Sequence, residues 1–172
     1  MQKTSGLASL ALAVLVAGCA SVSEIPMAEA RLAPTAGNTV SGVVSFAQAG
    51  DKVRVTGELT GLTPGAHGFH VHDKGDCSAP DATSAGGHFN PGAKQHGHPD
   101  QGEHHAGDLP LLVADAAGVA RITAYSDVIS IGGGAGNVVG RSVVVHAAAD
   151  DFKSQPAGNS GPRVACGVIV AK

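Results

Sequence analysis

The chain has 172 residues, of which 43% are hydrophobic and 3% aromatic, with 25 glycines and no tryptophan. That length suits one domain with a substantial core, and the profile suits short strands and many turns better than a helical bundle. A formal charge of −3 gives no electrostatic case for nucleic acid as a partner, and no apolar run reaches the roughly 18 residues needed to span a bilayer.

The first segment reads as an address. Lys3, the apolar stretch from Leu7 to Ala17 and the small residues after it have the layout of a secretory signal peptide over residues 1–18. Its end, LVAGC at 15–19, resembles a bacterial lipobox, in which the cysteine is acylated and becomes the first residue of the mature chain. Lipid on Cys19 would make residues 19–38 a tether to the membrane, with a first edge strand at its distal end, and residues 39–172 the domain. The expectation is a membrane-anchored lipoprotein of the bacterial periplasm. Ordinary cleavage near Ala20 is the alternative, leaving a soluble periplasmic protein.

From residue 39 the pattern has period two. VSGVVSF (40–46) and DKVRVTGELT (51–60) are split by a short turn. In the second, Val53, Val55 and Leu59 share one face while Arg54, Thr56 and Glu58 share the other. Such alternation predicts half-buried antiparallel strands. GLTPGAHG (61–68) punctuates, and FHVH follows as another strand. DLPLLVAD (108–115), GVARITAY (118–125), RSVVVHA (141–147) and RVACGVIVA (163–171) complete a set of about eight. The fold class predicted is all-β, an antiparallel Greek-key sandwich or barrel. Two stretches break the pattern, residues 73–107 and 147–162. Loops that long in a compact domain are usually functional or disordered, and the first holds five of the nine histidines.

The histidines suggest metal. His70 and His72 lie one residue apart on a predicted strand, so both imidazoles point to one face. His146 lies on another strand, and the loop adds His88, His96, His105 and Asp108. Imidazole suits copper and zinc, Cu(II) prefers a tetragonal nitrogen set, and a carboxylate among imidazoles favours tetrahedral Zn(II). Spacing alone predicts two metal sites without assigning each ligand. His98 and His104 read as solvated loop histidines, with His104 a rival to His105, and His67 reads as support for a strand turn.

Three cysteines in an exported chain leave one odd thiol. Lipid on Cys19 would leave Cys77 and Cys166 to pair in an oxidising compartment. The closed loop of about ninety residues corresponds to roughly 4–5 kcal/mol in the chain-entropy model, an upper figure. Cys77 as a thiolate ligand is the alternative.

Six stretches, GFHVH (68–72), GDCSAP (75–80), AGGHFNP (85–91), HAGDLP (105–110), GRSVVVH (140–146) and GPRVACGVI (161–169), resemble copper/zinc superoxide dismutase, in that family's order. The resemblance implies copper on His70, His72, His88 and His146, and zinc on His88, His96, His105 and Asp108, with His88 bridging. It implies Asp150 as the carboxylate orienting one ligand of each metal, and Arg163, held near the Cys77–Cys166 bridge, as the receiver of superoxide. It implies catalysis by Arg163 and His88 through copper redox cycling, protecting the cell envelope from external superoxide. A homodimer is compatible with it, since bacterial members assemble differently from animal ones or remain monomers. Only Lys153 carries positive charge between His146 and Arg163, so electrostatic steering is expected to come from elsewhere. Two other classes compete. A non-enzymatic copper- and zinc-binding lipoprotein would explain the histidines but not Arg163, and a zinc hydrolase would need an open zinc position.

Overall fold

The computed structural model describes residues 27–172; Cys19 and the expected signal segment lie outside the described residues. Nine strands follow one another: β1 (Met27–Pro34), β2 (Ser41–Ala49), β3 (Lys52–Thr60), β4 (Gly65–His67), β5 (Phe69–His72), β6 (Leu112–Ala114), β7 (Ala120–Ser126), β8 (Ser142–His146) and β9 (Arg163–Ala171). All pairings are antiparallel, in the order β4-β6-β7-β3-β2-β1-β9-β8-β5. The two end strands are consecutive in the chain, joined through Gly68, so the sheet curls into a nearly closed barrel.

Period two is what builds it. In β3 the face carrying Val53, Val55 and Leu59 is fully buried, as the alternation predicts. Those side chains meet Phe46, Phe69, Leu112 and Ile169 in one core, each such burial contributing about 1.5–3 kcal/mol. The sequence set of eight strands is one short, because β4 forms inside the segment read as pure punctuation. The strand expected over 108–115 contracts to Leu112–Ala114. Pro110 has no N–H to give a ladder, and the Asp108 backbone N–H turns back to the His105 carbonyl at 3.1 Å.

The tether boundary also needs correcting. Residues 27–34, inside the 19–38 stretch, form β1, and β1 is not an edge strand: it is paired with β2 on one side and β9 on the other. Ala28, Ala30 and Leu32 are buried in the core. The folded domain therefore includes residues 27–34, N-terminal to the boundary expected at residue 39.

β5 and β8 place the chemistry. Phe69 and Val71 point into the core with Val143 and Val145, which leaves His70 and His72 on the outer face beneath the loops. The loop 73–107 is sewn to the free edge of β5. Val71 N–H donates to the Gly107 carbonyl at 2.9 Å, Phe89 N–H donates to Val71 at 2.8 Å, and Gly107 N–H donates to Phe89 at 2.9 Å. A Cβ on Gly107 would collide with the Val71 carbonyl, so only glycine allows this approach.

Candidate metal centre

The stitching on β5 carries two histidine clusters together. Donor atoms of His70, His72, His88 and His146 all lie within 4.8 Å of one another, and so do those of His88, His96, His105 and Asp108. Every one of these seven residues is buried. His70 and His72 come from β5, and His146 closes β8 at a register shift that sets it opposite Arg163. Bulges of this kind re-aim side chains beside functional sites.

Each ring of the first cluster has one nitrogen tied down and one left to bind. His72 Nδ1–H donates to the Gly86 carbonyl at 2.9 Å, and His146 Nδ1–H to the Gly161 carbonyl at 3.0 Å. His70 Nε2 meets Asp150 Oδ2 at 2.6 Å, and His96 Nε2 meets Asp150 Oδ1 at 2.9 Å. The Nε2 atoms of His72 and His146 consequently face each other at 3.5 Å. Asp108 is prepared in the same way. Its Oδ2 accepts the backbone N–H groups of His105 and Gly97 at 2.8 and 3.1 Å. Its Oδ1 lies 2.9 Å from His88 Nδ1, 3.0 Å from His96 Nδ1 and 3.5 Å from His105 Nδ1.

Three buried ring nitrogens have no hydrogen-bond partner among the described residues: His70 Nδ1, His88 Nε2 and His105 Nδ1. Each belongs to one of the two clusters, and an unpaired buried polar atom is costly unless something else satisfies it. A nitrogen-binding cation does so, and the donor sets fit: four imidazoles for copper, three imidazoles and a carboxylate for zinc. His88 belongs to both, with Nδ1 on the Asp108 side and Nε2 free for the other.

The electrostatics agree with ligands held ready. Burial lowers the His70 imidazole to about 3 and that of His146 to about 4, and pushes His72 well below its ordinary value. Neutral imidazole is the form that binds metal. Burial would raise Asp108 and Asp150, but hydrogen bonds from His88 and His96 to the first, and from His70 and His96 to the second, hold both well below the usual carboxylate range. His96 alone runs the other way. Burial opposes its charge, yet the two carboxylates hold it up at about 9.

Arg163 stands across the strand pair from His146. Its Nη1 donates to the Ala82 carbonyl at 2.5 Å and its Nη2 to the Gly86 carbonyl at 2.6 Å. Both acceptors lie in the stretch tied down by the Cys77–Cys166 disulfide, which is formed with Cα atoms 5.8 Å apart. The bridge removes the thiolate-ligand alternative for Cys77. Partial burial lowers the guanidinium's affinity for its proton, but an arginine of this kind stays charged.

The remaining histidines take supporting roles. His67 links the Thr63 and His146 carbonyls at 2.8 and 2.9 Å, as its place in a strand turn suggested. His98 packs on Phe152 at 4.6 Å and His104 bonds the His105 carbonyl at 2.7 Å; neither joins a cluster, and of the two rivals it is His105 that lies in the second one. Two residues escaped the sequence reading. Arg141 lies 3.6 Å over the Phe89 ring and bonds Asp73 at 2.6 Å, touching the neighbours of His88 and His72. Gln155 binds the backbone of His96.

The zinc-side cluster, once filled, offers no open position among its four protein donors, which argues against a zinc hydrolase. Comparison with known proteins agrees with the geometry. Residues 40–169 match the family model described as copper/zinc superoxide dismutase (SODC). The chain is 39% identical over 175 residues to the superoxide dismutase [Cu-Zn] of Deinococcus radiodurans, covering 94% of this chain and 93% of that protein. Among solved structures it is similar to the clock protein EA4, with 43% identity and a TM-score of 0.78 over 88% of this chain and 98% of that one. The match spans both clusters, the disulfide and Arg163: the chain belongs to the copper/zinc superoxide dismutase family.

Proposed function

We propose that the chain dismutates superoxide at the His70, His72, His88 and His146 cluster with copper, and uses the His88, His96, His105 and Asp108 cluster for zinc. We place this activity in the bacterial envelope, on a lipid anchor at Cys19, where it protects the periplasm from external superoxide. One observation carries the reading: the His88 ring belongs to two buried donor clusters, one nitrogen to each.

Copper, when bound, supplies reversible one-electron chemistry, oxidising one superoxide to dioxygen and reducing a second, with two protons, to hydrogen peroxide, while zinc supplies a fixed charge. The protein's own residues do the rest. Arg163 offers a permanent positive charge and a planar fork of donors to a small anion. Ala82 and Gly86 fix the direction of that fork. His88 can hold a proton at Nε2 and give it up, because Asp108 keeps the ring oriented through Nδ1. Asp150 and the Gly86 and Gly161 carbonyls fix the tautomers of the other copper-side rings.

The test is superoxide dismutation by the full chain loaded with copper and zinc, beside His146→Ala and Arg163→Ala. A copper-dependent rate that is lost with His146 and falls about tenfold with Arg163, the lower end of electrostatic steering effects, supports the reading. Binding of both metals without dismutation would instead make this a metal-carrying lipoprotein on a dismutase scaffold.

A further inference from the structure

His96 is held at every polar atom it has. Its ring nitrogens meet Asp108 and Asp150. Its backbone N–H donates to Gln155 Oε1 at 2.9 Å, and its backbone carbonyl accepts from Gln155 Nε2, also at 2.9 Å. The amide side chain thus pairs with one peptide unit as a neighbouring β-strand would, donor to acceptor and acceptor to donor. Among the described residues no other side chain bonds both backbone groups of a zinc-side residue. Gln155 Nε2 also reaches its own loop at the Lys153 carbonyl, 3.3 Å away.

We infer that Gln155 is a positioning residue for the zinc cluster: by clamping the His96 backbone it fixes the height and rotation at which the imidazole meets the metal. The role differs from that of Asp150, which orients the ring through Nε2 and also touches the copper-side His70. Among the described residues Gln155 forms no hydrogen bond to a copper-side ring, so its direct hold falls on the zinc side. The surrounding loop leaves no slack for His96 to find another position. Gly158, at φ +64°, lies so close that a Cβ there would run into the Asp150 carboxylate and come within 2.7 Å of His96 Nε2.

The inference rests on zinc as the occupant of that cluster, and the test separates the two. Zn(II) affinity by chelator competition and the visible ligand-field spectrum of Co(II) in the same site are measured on the full chain, with Gln155→Ala and Ser154→Ala. Ser154→Ala removes a bond of 2.6 Å to Asp151 within the same loop and touches no zinc-side residue. The expected result for Gln155→Ala is Zn(II) affinity about tenfold weaker, the lower end for partners of metal ligands, a shifted Co(II) spectrum and unchanged Cu(II) affinity. Ser154→Ala should match the parent in all three. Unchanged Zn(II) affinity and Co(II) spectrum in Gln155→Ala would overturn the inference, as would an equal loss in Ser154→Ala or for copper. Absence of Zn(II) binding in the parent would overturn the zinc assignment itself, and this inference with it.

Discussion

His70 and His96 each give their Nε2 to one carboxylate, Asp150, whose two oxygens lie 2.6 and 2.9 Å away. One belongs to the copper-side cluster and the other to the zinc-side cluster, so a single anion sets both rings. Asp150→Ala should weaken copper and zinc together, each by about 10–100-fold. Titration of each metal separately checks this. Loss of one metal with the other bound at parental strength would show that the shared carboxylate is not what orients both rings.

Burial of the copper-side rings and the carboxylate bonds to His96 shape how the metal-free protein answers pH. His70 and His146 titrate near 3 and 4 when folded but near 6.5 when unfolded, so below 6.5 the unfolded state takes up more protons and stability falls with pH. His96, raised to about 9, gives the opposite slope. The folded state keeps a proton that the unfolded state loses above 6.5, and stability falls again as pH rises toward 9. Melting temperature of the metal-free chain should therefore peak near pH 6.5. Zinc displaces the His96 proton, so the alkaline decline should vanish on loading. A metal-free melting temperature that climbs from pH 6.5 to 9 would contradict the account.

Removing the disulfide with Cys77→Ser and Cys166→Ser should cost up to about 4–5 kcal/mol by the chain-entropy model, measurable by denaturant unfolding. It should also cost activity in a particular way. The bridge holds the stretch whose Ala82 and Gly86 carbonyls aim Arg163. Dismutation should fall while copper affinity changes less, since three of the four copper-side histidines, His70, His72 and His146, keep their places on β5 and β8. Equal loss of both would place the bridge's effect in the ligands instead.

Much of this site is legible in the sequence because its donors are side chains of rare type at fixed spacing. His70 and His72 announce a strand face, and the strand face of Val53, Val55 and Leu59 is equally plain. β1 was harder to read. Its buried positions are Ala28, Ala30 and Leu32, whose small side chains give period two little contrast against Glu29 and Arg31. The acceptors for Arg163 and His72 are backbone carbonyls, which every residue has and no sequence distinguishes. Gln155 was hidden for a related reason: a loop glutamine is unremarkable until its partner, a peptide group 59 residues away, is in place.

The pairing of β1 with β9 has a consequence for the order of assembly. The two strands zip from Ala28↔Ala171 to Pro34↔Ala165, so the earliest and latest parts of the described chain must meet before the sheet is continuous. Contacts this distant in sequence form slowly. β9 also brings Arg163 and Cys166, so the last of the nine described strands joins the two halves of the sheet and supplies one partner of the disulfide and the arginine beside His146. A chain cut within β9 would lose ladder pairs to β1, and molecules lacking that strand would have neither a continuous sheet nor Arg163 beside His146.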